Sequence, residues 1–182
     1  MTFLSQLPRP SRKLALGLAV FAGPLALAAA LTPAYFADAK GVRELFTLHM
    51  HGPDLALLGK TSPVILVHLA LGVLALAAGG LLLAGPKGRR FHRVLGWAWV
   101  LAVGTVAATS LFIKTLNPGH FSIVHLLSGY VIVALPLAVA AARRHDVERH
   151  RRYMTGMYLG GFAVNVVFIL LPGRLVWNLF FG

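Results

Sequence analysis

The chain has no cysteine. That absence excludes disulfides, thiolate-held iron–sulfur clusters, covalently attached c-type heme and a cysteine nucleophile. Acidic residues are scarce too: five Asp and Glu against 17 Lys and Arg in 182 residues. They form no paired-carboxylate site, and no Ser-His-Asp set is present to support a hydrolase. None lies inside a long apolar run, where a transporter would need an acid to relay protons or bind a cation. Charged residues of both signs make up 12% of the chain and hydrophobic ones 58%. A soluble domain carries about 25% charge. The sequence therefore describes one integral membrane domain over residues 1–182.

What is present in quantity is apolar chain. Segments at 14–35, 63–84, 91–113, 121–142 and 153–171 each approach the ~20 residues that cross a hydrocarbon core as helix. The first follows Arg9, Arg12 and Lys13 and contains Pro24. Its apolar run is longer than a signal-peptide core, so it reads as a retained helix. The stretch "AKGVRELFTLHMH" reads as a short surface helix. After Pro172-Gly173, "RLVWNLFFG" reads as an interfacial tail with Trp177 at headgroup level.

The basic residues are unevenly spread. Three precede the first span, four (Lys87, Arg89, Arg90, Arg93) lie between the second and third, and five (Arg143, Arg144, Arg149, Arg151, Arg152) between the fourth and fifth. Lys40, Arg43, Lys60, Lys114 and Arg174 fall on the other side. The positive-inside rule then puts the N-terminus in the cytoplasm and the C-terminus outside. The net charge of +12 is mostly this bias. It calls for no nucleic-acid partner and is compatible with anionic lipid headgroups.

Within this frame histidine recurs four residues before glycine: "HLALG" at 68–72, "HRVLG" at 92–96 and "HLLSG" at 125–129. His68 and His125 fall about 7–8 Å inside the outer boundary at 1.5 Å per residue. His92 and His150 stand at the inner edge. His68 to His125 spans 57 residues and His92 to His150 spans 58. Each half reads as His-x-x-x-Gly, a helix, an Arg-rich loop, then His-Arg and another helix. "FHRVLG" answers "RHRRYMTG", where the glycine, Gly156, comes two residues later. A parallel repeat implies a pseudo-twofold axis along the membrane normal. It would bring His68 toward His125 and His92 toward His150.

Paired imidazoles from facing helices are a common way to fill both axial positions of heme iron. A glycine one turn from a ligand shares its face, so Gly72, Gly96 and Gly129 would let a flat macrocycle approach the backbone. Arg93 and Arg151 could meet heme propionates. The plainer alternative is that the glycines pack helices and the histidines hydrogen-bond nearby. Asn165 reads most simply as a packing residue. His49 and His51 in "LHMHGPD", with His120 on the same side, are ligand types suited to copper; a helix end before a Gly-Pro turn explains the stretch more simply.

Three stretches, "VHLALGVLALAAGGLLL", "GRRFHRVLGW" and "RHDVERHRRYMTGMYLGGF", resemble the bacterial membrane-protein family DUF2306 over His68 to about Leu171, a little over half the chain. The resemblance implies a small helical protein of the bacterial inner membrane and no particular activity. The helix order and histidine pairing are similar to cytochrome b-561, whose bundle holds two b hemes by four histidines. That resemblance implies pairing of His68 with His125 and of His92 with His150, although the inner histidines lie nearer the membrane edge here. The expectation is an all-α membrane protein: a four-helix bundle of two repeated hairpins plus one N-terminal transmembrane helix, five spans in all. Its expected role is transmembrane electron transfer through one or two hemes b, with a quinone or another redox partner. As an enzyme it would be a quinone- or metal-reductase-like oxidoreductase. The alternative is a non-redox accessory or assembly protein binding lipid, quinone or a partner subunit. A homo-oligomer is compatible with either reading.

Overall fold

The structure is a computed structural model that describes residues 49–113 and 123–181. The expected first span at 14–35, most of the expected surface helix, and His120 lie outside the described residues. Among the described residues six helices occur in order: α1 (Ala56–Lys60), α2 (Pro63–Ala84), α3 (Arg90–Ser110), α4 (Ile123–Arg143), α5 (Val147–Ile169) and α6 (Leu175–Phe180). No strand occurs among the described residues. Of the described helices, α2, α3 and α4 are long and apolar enough to cross a membrane.

Local chemistry sets the boundaries. Pro63 opens α2 at a position where its missing N–H costs nothing. Lys87 Nζ donates to Leu83 O at 2.5 Å, satisfying a carbonyl that the end of α2 leaves open. Asp146 caps α5 by accepting the Arg149 N–H at 3.0 Å. Glu148 adds negative charge to the first turn of that helix. This cap starts α5 earlier than apolarity suggests, so His150 lies within the helix and not ahead of it.

The turn from α4 to α5 is short and strained. Asp146 N–H donates to Ala141 O at 3.0 Å and His145 N–H to Ala142 O at 3.1 Å. This is the bonding of a Schellman cap, which favours glycine at its left-handed residue. Here that residue is His145, with φ of 59°. His145→Gly is expected to stabilise the protein by ~1 kcal/mol, since a side chain is disfavoured in this conformation. Thermal unfolding followed by circular dichroism checks it. An equal or lower midpoint would mean that the imidazole makes contacts worth more than the strain.

Helix α2 packs on α3, α3 on α4 and α4 on α5, while α2 also touches α5. The interior is built mainly from small residues. Ala75, Ala107, Ala134 and Ala138 are buried together with Trp99, Val131, Leu135 and Met157. Large side chains such as Leu74, Leu101, Leu126 and Val133 point outward. That distribution suits a lipid surround, where close backbone approach drives helix association and outer leucines face acyl chains. A polar tie within the core joins α3 to α4, where the Ser110 hydroxyl bonds the Ser128 hydroxyl.

The C-terminal segment differs from expectation. Trp177 is buried, not set at a surface, and its ring stacks 5.0 Å from that of Phe181. Residues 51–54 run beside α6, with His51 N–H donating to Phe180 O and Asp54 N–H to Leu179 O.

Candidate functional site

At the end of the bundle that carries the arginine-rich turns, the four long helices surround a cavity of about 680 Å³. Its walls are mainly apolar, with Leu82, Trp97, Trp99, Val100, Val139 and Met154 among them. Its lining holds Lys87, Arg93, Arg143 and Arg151 and no Asp or Glu. Both nearby acids are engaged elsewhere, Asp146 in the α5 cap and Glu148 in a 2.8 Å surface ion pair with Arg152. The Arg143 guanidinium sits over the Trp97 ring, 5.9 Å from its centroid.

His92 and His150 both line this cavity and lie close enough to interact electrostatically. His150 Nδ1 is 2.9 Å from Ala138 O. A carbonyl only accepts, so Nδ1 carries a proton, and in the neutral ring Nε2 keeps its lone pair. A backbone bond that fixes the tautomer in this way is typical of metal-ligating histidine. His92 Nδ1 is buried without a hydrogen-bond partner, a condition that asks for an explanation. Gly96, one turn from His92, lines the same cavity, and a methyl group built on it would meet nothing within 4 Å. The cavity thus gathers His92, His150, Gly96, Arg93 and Arg151, five residues the repeat had placed at one level.

The outer residues are arranged differently. His68 is half-buried, and its Nδ1 lies 3.0 Å from Thr109 Oγ1 on α3. The Thr109 hydroxyl also lies 2.8 Å from Thr105 O and 3.1 Å from Val106 O, so it ties His68 to the α3 backbone. His125 is buried on α4, one turn before Ser128. Gly72 and Gly129 also have open space where a Cβ would stand. Among the described residues, neither has a neighbour within 4 Å of that position.

His49 and His51 lie in an exposed, non-helical segment. The His51 Nδ1–H donates to Gly52 O at 2.6 Å. No group of three or more metal-ligating side chains occurs among the described residues. Asn165 donates to Gly161 O in its own helix.

Several residues at the cavity escape a reading by motif. Trp99 donates from Nε1 to Ala75 O at 2.9 Å, and Tyr158 from its hydroxyl to Leu76 O at 3.1 Å. Both line the cavity, as does Gly79. A signal was available: Trp99 comes seven residues after His92 and Tyr158 eight after His150, two helical turns along the same faces. The Ala138 carbonyl gave none, because backbone acceptors are silent in a sequence.

Long helices with small residues inside, large apolar ones outside and a cationic end define a helical membrane protein. The chain belongs to the DUF2306 family, described as a predicted membrane protein, whose model matches residues 65–181. No curated protein and no solved structure matches it. The comparisons give no support to the resemblance to cytochrome b-561.

Proposed function

We propose that the chain is a b-type heme protein that carries electrons across the membrane, with a heme held between His92 and His150. The observation that carries this reading is the shared cavity, in which two imidazoles face apolar walls beneath cationic side chains. The residues suit the group. In its neutral form His150 is set with Nε2 as the basic atom, and the buried Nδ1 of His92 has no hydrogen-bond partner. Gly96 leaves room for a flat ring. Arg93 and Arg151 are placed to pair with propionates, and the apolar walls keep water from the ring. When bound, such a heme supplies one-electron exchange, at a potential tuned by burial and by the bonds its ligands make.

The same reading extends to a second heme at His68 and His125. It is supported by the open space over Gly72 and Gly129 among the described residues and by the burial of His125. Two levels along α3 would shorten each electron step. A quinone or another redox partner would exchange electrons with the ends. The deciding experiment is an absorption spectrum of the purified protein, oxidised and then dithionite-reduced. Sharp reduced bands are expected, and the heme-to-protein ratio counts the centres. A colourless protein from heme-replete cells would sink the reading. It would favour a non-redox accessory role, in which the same cationic, apolar-walled cavity takes an anionic lipid or a quinone.

The proposed topology has five spans in the bacterial inner membrane, including residues 14–35, with the arginine-rich turns cytoplasmic. A reporter inserted at Gly88 should read as cytoplasmic and one fused after Gly182 as external. Both on one side would make an odd number of spans untenable.

A further inference from the structure

Gly79 sits where two aromatic rings cross the backbone of α2. Trp99 and Tyr158 reach adjacent carbonyls of that helix, Ala75 O and Leu76 O. One turn further on stand Gly79 and Gly80. A methyl group on Gly79 would overlap the Tyr158 ring and come within 2.8 Å of Trp99 Nε1. On Gly80 it would come within 3.3 Å of the Tyr158 hydroxyl. Gly72, Gly96, Gly129 and Gly156 show the opposite, with nothing near. Among the described glycines of the cavity, Gly79 is the one whose missing side chain admits a close aromatic contact.

We propose that Gly79 is the specificity-determining residue of the cavity. By seating Trp99 and Tyr158 on α2 it keeps both rings clear of the space through which a flat ligand reaches His92 and His150. The heme reading supplies the ligand's identity here, whereas the cavity's shape stands without it. Any side chain at position 79 must displace a ring. Trp99 is 5% exposed and locked into the core, so the less buried Tyr158 yields. Helix α2 blocks one direction, and the cavity that Tyr158 lines offers room for the displaced ring. The occupant is then limited by how far Tyr158 stands back, and hence by the size of residue 79.

The cysteine-free chain makes this measurable without heme. Met154→Cys places a single thiol on the cavity wall, one turn from both His150 and Tyr158. The rate at which N-ethylmaleimide alkylates it in the apoprotein reports the open space. Adding Gly79→Ala is expected to slow alkylation by about tenfold, the scale of a modest overpacking penalty. Adding Tyr158→Ala to that variant should restore the rate. An unchanged rate in folded Gly79→Ala protein, or no restoration, overturns the proposal. Should Gly79→Ala fail to fold, Tyr158→Ala alone decides: faster alkylation is expected, and an unchanged rate overturns. Hemin should protect the thiol in Met154→Cys protein. Absent protection with the Gly79 effect intact would refute heme binding alone.

Discussion

His92→Ala and His150→Ala should each remove the same heme signal, and the double variant should be little worse than either single one. Two ligands of one iron act as a unit, so their losses do not add. Gly96→Leu should mimic them, because its side chain would enter the space beside His92. That substitution should leave the apoprotein's unfolding midpoint nearly unchanged, as no atom lies within 4 Å of its Cβ position. If a second centre exists, His68→Ala and His125→Ala should lower the heme-to-protein ratio from two to one. Pyridine hemochrome absorbance per protein measures all of these. Full heme content in His92→Ala or His150→Ala protein would show that the cavity holds something else.

The largest stability loss among the described residues is expected at Trp99. It is buried where α2 meets α3, and its indole N–H satisfies the Ala75 carbonyl. Lipid tails are as apolar as this site, so truncation forfeits packing and a hydrogen bond more than transfer energy. Trp99→Ala should cost ~3 kcal/mol, the lower end of the range for large aromatic truncations. Trp99→Phe keeps most of the contact area and loses the bond, for ~1 kcal/mol. Unfolding of the solubilised protein, followed by circular dichroism, separates the two. Equal costs would mean that the hydrogen bond, and not the packing, dominates.

Membrane character was legible from composition, because lipid imposes long apolar helices whatever the function. The inner-level residues were legible because the chain repeats itself, with His92-Arg93 answering His150-Arg151. Neither pattern shows how deep a helix begins. His150 reads as lying ahead of a span, yet Asp146 caps α5 one turn earlier. Glycine was ambiguous for a physical reason: one missing Cβ serves either an open space or a tight contact. Gly96 and Gly79 look alike in sequence, and only the neighbours in space tell them apart. Trp177 carries the composition of an interface marker and is buried, in a helix that pairs with residues 51–54, a pairing between distant stretches that no local pattern encodes.

The turn at His145 and Asp146 has a consequence for chain length. It joins a helix end to a helix cap with no residue to spare. One added residue within α5, between the cap and His150, would rotate the remainder of that helix by about 100°. His150, Met154 and Tyr158 would leave the cavity together, with every side chain still intact. The join therefore acts as a gauge: the phase of α5 relative to α4 is set by counting residues, and a deletion there would be as damaging as loss of the histidine itself.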